Sequence, residues 1–207
     1  MKNPYFKFIQ IDPKIVESFI NKHPSLETFI DKTKPFYVRV TKKIYAGLIH
    51  TIISQDETNA NVLVIWNQLV DAVKKVSAKR VSKLTDEQLL KILGKKAELI
   101  KRITNDVING NLDLKTLSKQ PEALIYDTLR SYQGLNINTI QTFALFSCFK
   151  QDVLCEHDLD FIKGLKIFLN KQKIDEQDIN HIKIEYRGQL TLFSLCMWRL
   201  NNERSGN

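Results

Sequence analysis

Cysteine is scarce in this chain and poorly spaced for metal chemistry. Of 207 residues only Cys148, Cys155 and Cys196 are cysteine, an odd number with no CxxC pair. That spacing argues against a zinc or iron–sulfur centre, so no metal site is expected. The three read as buried, reduced thiols of an intracellular protein, in cytoplasm or nucleoid. Seven glycines and five prolines leave only short connections, and no internal repeat or low-complexity tract is visible. No apolar run approaches the roughly 20 residues of a membrane span, so no membrane partner is expected. Met1-Lys2-Asn3-Pro4-Tyr5 lacks an apolar signal region. Strand-forming sequence is nearly missing too. Phe36-Tyr37-Val38-Arg39-Val40 is the one β-like run, and so short a segment cannot make a sheet alone.

What is present is positive charge and helical periodicity. A formal net charge of +8 favours a polyanionic partner, with nucleic acid ahead of an acidic membrane surface. Hydrophobic residues at 43% are enough for a core in one compact domain or in two small lobes. Ile44, Leu48 and Ile52 recur at helical spacing, as do Val62, Trp66 and Val70. Leu89, Ile92 and Leu93 precede Gly94, a natural stop, and Leu99, Ile103 and Val107 end near Asn109-Gly110. Pro121 can open a helix carrying Leu124, Ile125 and Leu129. Further helices follow at Ile137–Leu145, after Asp158, after Asp175 as a cap, and along Leu192–Arg199. Trp66 reads as core, and Asn201–Asn207 as a polar, frayed tail.

The most informative stretch is Cys155-Glu156-His157-Asp158-Leu159-Asp160-Phe161-Ile162-Lys163-Gly164-Leu165. It sets Asp158 at a helix start, downstream of a candidate hairpin Tyr132-Gln133-Gly134-Leu135-Asn136-Ile137-Asn138-Thr139. From about Tyr45 to Leu200 the order of elements resembles the helix-hairpin-helix DNA glycosylase superfamily, and within it the 3-methyladenine DNA glycosylase II branch. Four segments carry the resemblance. Leu48–Gln55 looks like the family's early helix ending in Gln. Lys95–Ile100 with Asn109–Leu114 looks like its middle helix and Gly-x-Leu-Asp-Leu turn. The hairpin, within about residues 124–149, is followed by Asp158-Leu159 and Lys163-Gly164-Leu165. Tyr186-Arg187-Gly188 and Met197-Trp198-Arg199 are similar to its final helix.

The resemblance implies an all-α fold of two helical lobes with a helix-hairpin-helix motif and a DNA-binding cleft between them. Residues 1–40 would be an N-terminal extension packing on the core of a single glycosylase-like domain. It implies a monomer, acting without a cofactor on duplex DNA that carries a damaged base. The activity implied is monofunctional: hydrolysis of the N-glycosidic bond of alkylated purines, the first step of base excision repair. The alternatives are a glycosylase for an oxidised base such as 8-oxoguanine, or an inactive damage-binding protein.

Residue by residue, Asp158 matches the family's catalytic aspartate, where a carboxylate would stabilise positive charge on the sugar and orient water. A helix N-cap is an equally ordinary duty for Asp there, and one residue can do both. Trp198 matches an aromatic that stacks on the extruded base, and also suits a core position on the last helix. Gln133, Gly134, Asn136, Asn138, Thr139, Gln55 and Lys163 are the implied DNA contacts. Asn136 replaces the hairpin's second glycine, on the ground that Asn tolerates a left-handed backbone. Asn138 stands where relatives that cut the backbone carry a Schiff-base lysine. Asp56 stands at the wedge position, and its charge suits bases and phosphates poorly. Lys42, Lys43, Lys95, Lys96, Lys101, Arg102 and Lys150 are further candidate phosphate contacts. Glu156 and His157 read as surface or turn residues.

Overall fold

The computed structural model describes residues 5–31 and 34–204; Met1–Pro4 and residues 205–207, on which part of the leader and tail readings rested, lie outside it. In chain order the elements are β1 (Phe6–Gln10), α1 (Pro13–Lys22), β2 (Tyr37–Thr41), α2 (Ile44–Ser54), α3 (Asn59–Val73), α4 (Ala78–Val81), α5 (Asp86–Leu93), α6 (Ala97–Asn109), α7 (Leu114–Leu117), α8 (Glu122–Arg130), α9 (Ile137–Phe146), α10 (Leu159–Leu169), α11 (Glu176–Glu185) and α12 (Leu190–Arg204). The fold is all-α, with one two-stranded sheet among the described residues.

Several helices begin where a side chain satisfies their first N–H groups. Thr58 caps α3, and Thr85 with Gln88 forms a capping box on α5. Asp175 with Asp178 forms another on α11. Helix stops are equally local. Gly94 and Gly110 take φ of 54° and 80° after α5 and α6, a backbone that glycine adopts without steric cost.

The short β-like run does find a partner. Hydrogen bonds Ile11 N to Phe36 O (2.8 Å) and Lys42 N to Tyr5 O (2.7 Å) close the two ends of an antiparallel ribbon. The partner strand, Phe6-Lys7-Phe8-Ile9-Gln10, had a readable aromatic-rich β pattern. α1 was missed as well, although Asp12 before Pro13 is a cap followed by a helix-compatible proline. The tail reading is corrected: α12 continues to Arg204, and Asn201 is buried.

The chain divides into two compact units. The first joins the residues up to Phe6 to Thr41–Cys148. Its axis is α2, which is buried along most of its length and packs on α3 and α9. Trp66 is core here, edge-on to Tyr5 at 5.1 Å between ring centres.

The second unit joins Lys7–Val40 to Phe149–Asn207. Its main contact is α10 against α12, and a string of rings (Phe29, Phe168, Phe193, Phe161, Tyr186, Phe19) fills the space around it. Gly164 sets the helix approach. A Cβ at this position would lie 2.0 Å from Met197 O. The Gly that follows Lys163 is therefore a packing requirement, since only a hydrogen fits between the two backbones. Gly164→Ala is expected to destabilise the protein by about 3 kcal/mol or more, because backbone atoms must separate to admit the methyl; a urea titration measures it.

His23, at the end of α1, lies on the Tyr186 ring at 4.3 Å, with Nδ1 3.8 Å from Glu185 Oε1. Burial lowers its pKa from the ordinary histidine value, against the opposing pull of Glu185. The folded state therefore binds its proton less readily than the unfolded chain. Its contribution is complete above about pH 6.5 and is lost as pH falls through the lower folded value. His23→Gln should flatten the acid side of the stability–pH curve, read from thermal melts between neutral and mildly acidic pH.

Candidate active site

In the second unit, the segment before α10 is stitched to α12 by polar side chains spaced along one helical face. Thr191 Oγ1 donates to Lys150 O (2.7 Å) and accepts from Val153 N (3.1 Å). Ser194 Oγ donates to Val153 O (3.1 Å) and accepts from Cys155 N (3.2 Å). Trp198 Nε1 then donates to Asp158 Oδ1 (2.7 Å). Thr191, Ser194 and Trp198 follow the i, i+3, i+7 spacing that places residues on one side of a helix. Asp152 fastens the start of this arrangement, accepting from Gly188 N (2.6 Å) and Leu190 N (3.3 Å).

Asp158 is the N-cap of α10. The same Oδ1 that takes the indole N–H also accepts from Asp160 N (3.0 Å) and Phe161 N (2.9 Å). The capping reading of Asp158 holds, and its carboxylate is half-buried. Its Oδ2 takes no hydrogen bond among the described residues. One oxygen is fixed by three N–H donors, and the other keeps its lone pairs for a substrate or a water.

The neighbours fall as expected or are placed more sharply. Asp160 points to an exposed ion pair with Lys163 Nζ (2.9 Å). Glu156 pairs with Lys183 (2.6 Å) and His157 is half-exposed beside it. Cys148, Cys155 and Cys196 are free and buried. Burial pushes the Cys155 thiol far up and the Cys196 thiol up to about 12, so neither supplies a thiolate near neutral pH. Among the described residues no cluster of three or more His, Cys, Asp or Glu could hold a metal ion, and no helix is long and apolar enough to cross a membrane.

In the first unit, the hairpin between α8 and α9 is clamped from both sides. Gln55, just past α2, donates from Nε2 to Gly134 O (3.0 Å), while its Oε1 accepts from Asn136 N (3.2 Å) and Thr139 Oγ1 (2.8 Å). From α6, Arg102 Nη2 donates to Gln133 O (2.6 Å). Tyr132 Oη donates to Asp106 (2.8 Å), and burial together with that carboxylate pushes the phenol up to about 12. Gly134 has φ +96°, the one hairpin position whose backbone calls for glycine.

One expectation is corrected here, and two residues are placed more sharply. Asn136 is not left-handed: its φ is −83°, and its side chain caps α9 by accepting from Thr139 N (2.8 Å). The loss of a second glycine therefore costs the turn nothing. Thr139 is buried, with its N–H given to Asn136 and its hydroxyl to Gln55. Gln55 spends both ends of its amide on the hairpin and acts on its shape. The N–H groups of Gly134, Ile137 and Asn138 have no partner among the described residues, and they form an anion-ready helix start.

The basic residues sort by geometry. Lys96 is buried, donating to Ile53 O (2.7 Å) and to Glu57 Oε1 (3.1 Å), and so closes the end of α2. Its ammonium pulls the Glu57 carboxyl below the usual range. Lys101 is paired with Asp86. Lys95 is exposed and lines a groove of about 370 Å³ with Gln55, Asp56, Arg102, Gln133 and Gly134. Asp56 is exposed and left-handed, φ +58°, a conformation Asp tolerates better than most residues. Sequence reasoning missed the Thr191–Ser194–Trp198 face and the Lys96 closure; the helical spacing of the first was a visible signal, whereas the second needs three dimensions.

No protein-family model and no curated protein sequence matches the chain. Solved structures do. A DNA-3-methyladenine glycosidase from Bacillus halodurans superposes with a TM-score of 0.79 at 19% identity, over 97% of this chain and 95% of its own. A 3-methyladenine DNA-glycosylase from Archaeoglobus fulgidus gives 0.77 at 17%, over 92% and 70%. A Clostridium acetobutylicum 8-oxoguanine glycosylase/lyase, complexed with double-stranded DNA, gives 0.76 at 16%, over 95% and 72%. The fold is the one these helix-hairpin-helix glycosylases have.

Gln55→Ala removes the acceptor of the Asn136 and Thr139 donors and the donor to Gly134. It should cost about 1–3 kcal/mol and speed hydrogen exchange at Asn136 N–H, measured by NMR, while α10 amides keep their protection.

Proposed function

We propose that this chain is a monofunctional DNA glycosylase that hydrolyses the N-glycosidic bond of alkylated purines, of the 3-methyladenine type, in duplex DNA. It would thereby open base excision repair. The observation that carries the reading is Asp158, one oxygen fixed at the start of α10 and the other open, within a glycosylase fold.

The chemistry follows from that carboxylate. As the bond from sugar C1′ to the base nitrogen breaks, its electron pair leaves with the base, and a cationic alkylated purine departs neutral. Positive charge grows on the sugar, where Asp158 Oδ2 offers a counter-charge that is already oriented. Water adds at C1′, and its proton passes to Asp158 or to solvent. Trp198 supplies an aromatic face for the extruded base, which favours a cationic purine through cation–π attraction. The free N–H groups of Gly134, Ile137 and Asn138 receive a backbone phosphate, with Lys95 of the same unit adding charge, while Lys163 on α10 is a separate phosphate contact. Asn138 has no amine to form a Schiff base, so strand cutting is not expected.

A second reading has a specific support, the likeness to an 8-oxoguanine glycosylase/lyase. That neighbour's lyase step needs an amine, and position 138 lacks one, so the second reading keeps only the glycosylase half.

The test is base release from duplexes carrying 3-methyladenine, 7-methylguanine, hypoxanthine or 8-oxoguanine. Wild type should free the alkylated purines and leave strands intact until alkali. Asp158→Asn should slow release by about 10²–10³-fold. Release of 8-oxoguanine alone would move the assignment to the second reading. Salt-sensitive DNA binding without any release would make the protein a damage binder.

A further inference from the structure

Trp198 touches Asp158 with its edge, and this separates two jobs that a tryptophan near a base could do. The indole N–H, 2.7 Å from Oδ1, is a donor with no acceptor capacity. The ring faces are left out of that bond. We infer that Trp198 is a positioning residue for Asp158, fixing the carboxylate so that Oδ2 is the oxygen presented to the reacting sugar. This inference rests on the reading of Asp158 as the reacting group.

The N-cap amides alone do not secure this. Asp160 N and Phe161 N approach Oδ1 from the start of α10, and the terminal torsion of an aspartate is broad and roughly two-fold. Rotation about it exchanges the two oxygens. A third donor from a different helix holds Oδ1 from a second direction and removes that exchange. The holding is rigid because α12 is itself fixed. Thr191 and Ser194 tie the approach to α10 onto the same face of α12 that carries Trp198. At Gly164 the backbones of α10 and α12 meet with no room for a methyl. Trp198 is thus the last of three regularly spaced contacts that bring Asp158 to one place and one orientation. A displacement of about 1 Å in a reacting group can cost on the order of 10²-fold in rate.

The substitution that separates the jobs is Trp198→Phe, which keeps an aromatic face and deletes the N–H. In single-turnover base release from 3-methyladenine duplex, it should slow the chemical step by on the order of 10- to 100-fold and leave the Kd for the duplex unchanged. Trp198→Leu should lose affinity as well. A Phe variant that releases base at the wild-type rate overturns the positioning role and leaves stacking alone. The contact itself is read without activity. The chain has two tryptophans, so the indole region of a nitrogen–proton NMR spectrum holds two signals, and Trp198→Phe identifies one. Asp158→Ala should shift the Trp198 indole signal and leave that of Trp66 in place. An unmoved Trp198 signal overturns the inference at its geometric root. Wild type that releases no base from any lesion overturns the catalytic reading of Asp158, and the positioning role with it; the NMR result still reports the contact, so the two failures are told apart.

Discussion

The backbone-to-backbone contact of α10 with α12 is the constraint on which the second unit depends. Helix axes approach this closely only where side chains give way, and Gly164 opposite Met197 O is where they do. The consequence reaches the N-terminal side of α10. Upstream, the approaching segment runs close enough to α12 for Thr191 and Ser194 to take over its backbone hydrogen bonds. At the helix start, Asp158 comes within reach of an indole on the neighbouring helix. A packing requirement at Gly164 is thereby joined to an electrostatic arrangement at Asp158 six residues earlier.

The hairpin shows a different economy. A tight turn has backbone carbonyls and amides that helices and strands would otherwise satisfy. Here Gln55 and Arg102 satisfy the carbonyls of Gly134 and Gln133, and Gln55 also takes the amide of Asn136. What stays open is a set of N–H donors at the start of α9. The turn is shaped by acceptors being covered and donors being left, which biases it toward an anion. Lys96 supports this from below by closing the last turn of α2, from which Gln55 projects.

How much of this was legible in the sequence differs by kind of information. Helices were readable because their signals are local: periodicity at Ile44–Ile52, stops at Gly94 and Gly110, caps at Asp158 and Asp175. The β1–β2 pairing was half visible, since Tyr37–Thr41 carries the pattern but its partner lies far off in sequence. The Asp158 cap was readable because an acidic residue stands directly before an apolar helical run. For Thr139 and Gln55 the sequence could not separate a hairpin-holding role from a DNA contact. A polar residue at a site looks the same in sequence whether it faces a ligand or holds up its neighbours, and only the geometry of its partners distinguishes them. The expectation for Asn136 failed on a narrower point: the residue sits in an ordinary extended conformation, so the missing glycine had no left-handed backbone to serve.

That last point changes how departures from a family pattern should be weighed. Replacing a glycine matters where φ is positive, and in this hairpin that is Gly134 and not Asn136. Asn at 136 adds something that glycine lacks, a side-chain oxygen that takes the Thr139 N–H and secures the start of α9. It removes one donor from the set an anion could meet, and it fixes the remaining ones in place. Affinity for a phosphate depends on how few conformations the donors must give up as much as on their number. The altered hairpin therefore exchanges one potential contact for preorganisation, and by this argument its sequence departure is no mark of lost function.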